Sequence, residues 1–185
     1  MSDDLLRDTQ NRMAKSVDSL QRELGSIRTG RASPALIEHL QVEVYDSHMP
    51  LNQVASISAP EAHLLLVQPW DRNNIAAIEK VLRRSELGLN PANDGQLIRL
   101  PVPPLNEERR KEFVQMVKHR AEEARIAVRN IRRDDMEQLR GLEHEKEISM
   151  DQAQRAQAQL QKITDAFIEE IEEVARRKEA ELLEV

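Results

Sequence analysis

The chain has no cysteine among its 185 residues, which excludes disulfides and thiolate metal sites. Aromatic side chains are nearly as scarce: Tyr45, Trp70, Phe113 and Phe167 are the whole set, which argues against a platform on which successive bases stack. No stretch is long and apolar enough to span a bilayer, and the opening MSDDLLRDTQ lacks the apolar core of a signal peptide. Phosphate-cradling motifs of the GxxxxGK[ST] or GxGxxG type are absent. The five histidines (His39, His48, His63, His119, His144) fall in no metal-ligand spacing such as HExxH, and no nucleophile has an identifiable base beside it. These absences exclude the common enzyme classes and imply no cofactor. The expectation is a soluble, cytoplasmic, monomeric protein with no membrane partner.

One stretch organises the rest. Residues 105–146 contain no proline and a single glycine, Gly141. Within it Val114, Val117, Ala121, Ala124, Val128 and Ile131 recur at steps of three and four, which places them on one face of an α-helix. Beside that face runs a cationic series, Lys111, Lys118, Arg125 and Arg132, seven residues apart, with Arg129, Arg133 and Arg140 close to the same line. About 40 helical residues at ~1.5 Å each make a rod of about 60 Å, whereas a compact chain of this size has a radius of gyration of only about 16 Å. An elongated molecule follows.

Two further stripes complete a bundle. Leu6, Met13, Val17, Leu20, Leu24 and Ile27 mark a first helix over residues 2–28. Ile148-Ser149-Met150-Asp151-Gln152 reads as a capping box opening a last helix, whose apolar face is Ala156, Leu160, Ile163, Phe167, Ile171 and Val174. Three stripes, each too narrow to be stable alone, imply a three-helix bundle. Between the first two helices the texture changes. Residues 41–45, 54–58, 63–68 and 96–100 read as strands. Asp71 caps a helix carrying Ile75, Ile78, Val81 and Leu82, with Gly88 as its stop. The predicted fold is α+β: a bundle formed by residues 1–30 and 105–185, and an inserted β/α/β domain formed by 31–104. Hinge residues Gly30, Arg31, Pro103, Pro104 and Leu105 lie at the two crossings.

The net charge of −6 is unevenly spread. Residues 120–133 carry five arginines against Glu122 and Glu123, a local charge of 5 − 2 = +3, and at a Debye length of about 8 Å this patch outweighs the distant total. Acidic pairs such as Glu107-Glu108, Glu122-Glu123, Asp134-Asp135 and Glu169-Glu170 read as solvated faces, because neighbours on a helix diverge by about 100°. A charged helix is most simply a solvent face laced with pairs three or four residues apart, such as Glu122 with Arg125. Here Arg125, Arg129, Arg132 and Arg133 cluster on about two turns, and arginine contacts phosphate bidentately. With so few aromatics, such a surface would recognise the backbone and shape of folded RNA.

Several long motifs carry a resemblance. They are Ile27-Arg28-Thr29-Gly30-Arg31-Ala32-Ser33-Pro34, Pro69-Trp70-Asp71, Ile78-Glu79-Lys80, Leu87-Gly88-Leu89-Asn90-Pro91 with Asp94-Gly95, and Pro103-Pro104-Leu105. Glu107-Glu108-Arg109-Arg110-Lys111 and the run from Ala127 to Asp134 complete the set. Together they resemble the ribosome recycling factor family along essentially the whole chain, in order. Departures are Asn106, where threonine is common, and Tyr45-Asp46, where tyrosine-glycine is usual; the second bears on one loop of the inserted domain. The resemblance implies an L-shaped protein that binds the post-termination ribosome. With GTP-bound elongation factor G it would split the ribosome into subunits, freeing messenger and deacylated tRNA. It also implies that Arg129 and Arg132 hold RNA of the large ribosomal subunit, with Arg133, Arg125, Arg28 and Arg31 in support, and that the small domain swings.

Two other readings compete on residues alone. A helical protein–protein adaptor or holdase would bind without steep salt dependence, unlike an RNA binder. An enzyme with its site between the domains would need chemistry that the motifs do not supply.

Overall fold

The computed structural model describes residues 2–184. Its elements are helix α1 (Ser2–Gly25), strands β1 (Gln41–Val44), β2 (Ser47–Pro50), β3 (Ala55–Glu61) and β4 (Leu64–Pro69), helix α2 (Ile75–Arg84), strands β5 (Ala92–Asn93) and β6 (Ile98–Pro101), and the long helices α3 (Glu107–His144) and α4 (Met150–Leu183). They form two compact units. One comprises Met1–Leu24 with Val114–Val185, the other Gly25–Phe113. Among the described residues no helix is long and apolar enough to cross a membrane.

The helical unit is knit by interdigitated stripes. Leu6, Met13, Val17, Leu20 and Leu24 of α1, Val117, Ala121, Ala124, Val128 and Leu139 of α3, and Ala153, Ala156, Leu160, Ile163, Ile171 and Ala175 of α4 are buried. Pairing gives the directions. Arg12 meets Asp135 and Glu23 meets Arg120, so α1 and α3 are antiparallel. Arg125 meets Glu172 and Arg132 meets Gln161, so α4 runs back along α3. The expected apolar faces shift slightly: Val114, Ile131, Phe167 and Val174 are only half-buried.

One acidic pair departs from its sequence reading. Asp134 is exposed, but Asp135 is fully buried. It continues the seven-residue rhythm from Ala121 and Val128, so its side chain points into the bundle rather than to water. There it accepts a hydrogen bond from the Thr9 hydroxyl and, at 3.0 Å, one from Arg12 Nη1. A carboxylate at a core position costs desolvation unless such partners meet it.

The helix ends follow local chemistry. Asn106 Oδ1 accepts from the Arg109 backbone N–H at 2.8 Å, capping α3. Ser149 and Gln152 form the reciprocal capping box that opens α4, with Ser149 N–H donating to Gln152 Oε1 at 2.9 Å. Helix α1 stops at Gly25, three residues short of its expected end.

The second unit has a hairpin, β1 with β2, and a four-stranded antiparallel sheet in the order β3-β4-β6-β5. Its core comprises Leu36, Ile37, Val42, Leu65, Val67, Ile78, Leu82, Ile98 and Leu100, all at most 2 % exposed. Tyr45 and Asp46 make the hairpin turn with φ of 52° and 60°. Two left-handed residues match the twist of a two-residue hairpin loop, and aspartate tolerates that region better than most residues. Pro60 does not end β3. It sits where the register with β4 shifts, on an edge strand, the place where a missing N–H breaks no central ladder. Asp71 accepts from the Asn73 N–H at 2.9 Å and so caps a 3-10 turn that leads into α2. Helix α2 closes at Arg84, ahead of Gly88.

Candidate nucleic-acid interface

Helix α3 carries the cationic face, and the structure sorts its arginines by what they touch. Arg125 is only 18 % exposed at its side chain and is engaged twice, by Glu172 of α4 at 2.6 Å and Glu122 at 2.8 Å. It ties two helices together. Arg129 is half exposed, and its nearest carboxylate, Glu122, stands off at 3.9 Å. Arg132 donates from Nη1 to Gln161 Oε1 at 3.4 Å, a long contact with a neutral partner. Arg133 donates to Asn130 Oδ1 at 2.8 Å, also neutral. Asp134, five residues on from Arg129, forms no ion pair among the described residues.

Arg129, Arg132 and Arg133, but not Arg125, line one open groove of 890 Å³, bounded by Ile126, Arg129, Asn130, Arg132, Arg133, Met136, Glu137 and Arg140 of α3 and by Gln161 of α4. Four arginines face one carboxylate, a balance of 4 − 1 = +3. Positions 126, 129, 130, 133, 137 and 140 recur at three- and four-residue steps, so helical geometry alone aligns them along one strip. The neutral amides of Asn130 and Gln161 orient the guanidinium groups without neutralising them. Such a surface presents fixed, charged donors to an anion.

The remaining two arginines lie in the second unit, and their environments differ. Arg28 is half-buried. Its Nη2 donates to the Pro103 carbonyl at 2.8 Å and its Nη1 to that of Leu87 at 3.4 Å. Burial, and then the nearby Arg109, push its pKa down. Its guanidinium is thus spent on backbone carbonyls of its own unit. Arg31 is exposed and makes no ion pair among the described residues. Between them Gly30 has φ +84°, and a Cβ there would stand 3.3 Å from the Leu105 backbone nitrogen. The two segments expected to bend therefore lie against each other. Among the described residues no group of histidine, aspartate and glutamate side chains could hold a metal ion.

Sequence reasoning found the strip by its spacing, but it missed Asn130, Met136, Glu137, Gln161 and the exposed Ile126. Gln161 joins from another helix, which no spacing within α3 reveals. Ile126 was detectable, as an isoleucine off the apolar stripe.

A model of the ribosome recycling factor family matches residues 20–183. The chain belongs to the ribosome recycling factor family. Relatives named ribosome-recycling factor share its full length. That of Roseiflexus sp. (strain RS-1) is 51 % identical over 185 residues, and that of Chloroflexus aurantiacus 52 %, each covering 100 % of both chains. Among solved structures, a solution structure of the ribosome recycling factor is 42 % identical, with a TM-score of 0.80 over 100 % of this chain and 98 % of that one. A second is the T. thermophilus ribosome recycling factor, described with E. coli elongation factor G bound to the E. coli post-termination complex. It is 47 % identical, with a TM-score of 0.70 and full coverage of both chains. Membership of the ribosome recycling factor family makes ribosome recycling the role of this chain and sets aside the adaptor or holdase. The α+β architecture, long helices with a small sheet domain, is also that of the family's solved structures.

Proposed function

We propose that this factor binds the post-termination ribosome through its α3 groove, with RNA of the large subunit against Arg129, Arg132 and Arg133. The supporting observation is that groove: four arginines with one carboxylate among them, two of the four, Arg132 and Arg133, held by neutral amides. Phosphate is the anion that folded RNA offers in such density. Arg125 ties α3 to α4 behind this surface, Arg28 is engaged within its own unit, and Arg31 is free to add an outlying contact. Elongation factor G in its GTP-bound form is the partner. It supplies the hydrolysis, and the factor, a cytoplasmic monomer, catalyses none itself.

Splitting the ribosome requires force to pass between the two domains. We place the arm at 1–30 and 105–185, the head at 31–104, and the pivot at Gly30, Arg31, Pro103, Pro104 and Leu105, although all five pivot residues fall inside the compact unit Gly25–Phe113. Gly30 supplies backbone freedom, Pro103 and Pro104 limit its direction, and their close approach makes two chain crossings act as one joint.

A salt titration of binding to isolated large subunits tests the RNA contact. Wild-type affinity should fall steeply with added potassium chloride, and Arg132→Ala should bind more weakly with a log–log slope shallower by about 1. Equal binding of the two proteins at every salt concentration would contradict the assignment.

A further inference from the structure

The groove holds more than an anion site needs. Ile126 is 47 % exposed and Met136 half-buried, yet both line it, on a helix face otherwise given to arginine. Each is flanked at three or four residues by arginines, Ile126 by Arg129 and Met136 by Arg132, Arg133 and Arg140. Glu137 places a carboxylate among them. For a surface that meets only phosphates, two apolar side chains waste contact area and a carboxylate repels.

All three make sense if bases enter as well. We propose that the groove takes an unpaired segment of ribosomal RNA, its bases seated on Ile126 and Met136 and its phosphates on the arginines between. The inference rests on the RNA contact proposed above and deepens it. A duplex turned toward α3 offers phosphates and leaves the apolar seats empty, whereas an unpaired segment exposes base faces and edges. Aliphatic side chains and the polarizable Met136 thioether pack against a base face, and a guanidinium plane stacks on the other side. Glu137 accepts from an exocyclic amine, as carboxylates do from cytosine N4, and the amides of Asn130 and Gln161 give further edge contacts. The two seats lie ten residues apart, about 15 Å along the helix axis, so the occupant is longer than one nucleotide. The groove volume of 890 Å³ falls in the roughly 300–1,000 Å³ range of pockets that enclose small organic ligands.

The test separates base seating from phosphate contact. Met136→Gln, Met136→Leu and Ile126→Ser change side chains that carry little of the core, and a thermal melt checks that each folds. Binding to isolated large subunits is measured across a potassium chloride titration, with dimethyl sulfate and hydroxyl-radical probing of the ribosomal RNA. Met136→Gln and Ile126→Ser should bind about tenfold more weakly at every salt concentration, with the slope unchanged, because base contacts release no counterions. Met136→Leu should bind as wild type. Wild type should shield a few unpaired bases from dimethyl sulfate. Met136→Gln should re-expose them while backbone protection from hydroxyl radicals persists. Wild-type affinity for both polar variants, or protection confined to the backbone, overturns base seating and leaves the phosphate contact standing. Salt-independent wild-type binding, with Arg132→Ala unaffected, overturns both.

Discussion

At the scale of single residues, adjacent identical side chains do opposite work. Asp134 faces water and Asp135 is sealed between α1 and α3, holding the Thr9 hydroxyl and one end of Arg12. Removing Asp135 empties a buried site and takes a charged partner from Arg12, a loss discounted because Arg12 keeps Asp8 and access to solvent and the Thr9 hydroxyl keeps the Leu5 carbonyl. Asp135→Ala should cost about 2 kcal/mol in urea unfolding, while Asp134→Ala should stay within about 0.5 kcal/mol of wild type. The same contrast runs through the arginines: Arg125 and Arg28 are bound by their own protein, while Arg129 faces at most a distant carboxylate. A residue's type and spacing were legible in the sequence. Its commitment was not, because the partner of Arg125 is on α4, that of Asp135 on α1, and those of Arg28 on two separate loops.

Elements were more legible than residues, for a physical reason. Helix stripes and caps are local, so Leu6 through Leu24, Val117 through Val128 and the Ser149–Gln152 box could all be read directly. Strands depend on partners. β2 and β5 have no readable pattern of their own, and the strand read over 54–58 runs on through Pro60 because a position on an edge strand is a property of the sheet. The two departures from the family pattern are both conservative in mechanism. Asn106 caps α3 as a threonine can, and Asp46 adopts the left-handed turn conformation that glycine also allows. Asn106→Ala should therefore cost about 1 kcal/mol in thermal or urea unfolding, and Asn106→Thr only a few tenths. Asp46→Gly should be neutral or stabilise by up to about 1 kcal/mol, the relief of a left-handed non-glycine residue. A large loss on Asp46→Gly would show that the aspartate side chain does something the turn geometry does not require.

For the whole molecule the claim is that RNA holds one part still while another moves. Gly30 is where these demands meet, since its φ is +84° and an added Cβ would stand 3.3 Å from the Leu105 backbone nitrogen, tight enough to push its neighbour by a few tenths of an ångström. Gly30→Ala should cost about 1–2 kcal/mol and slow subunit splitting, with affinity for the large subunit unchanged because the groove lies on α3. Loss of affinity in that variant would mean that the joint and the RNA surface are not separable. The most direct measurement is light scattering from purified post-termination ribosomes mixed with this protein, elongation factor G and GTP. Scattering should drop as subunits part when all three are present, and the drop should be slower with Arg132→Ala. Scattering that holds steady with the complete mixture would contradict the account.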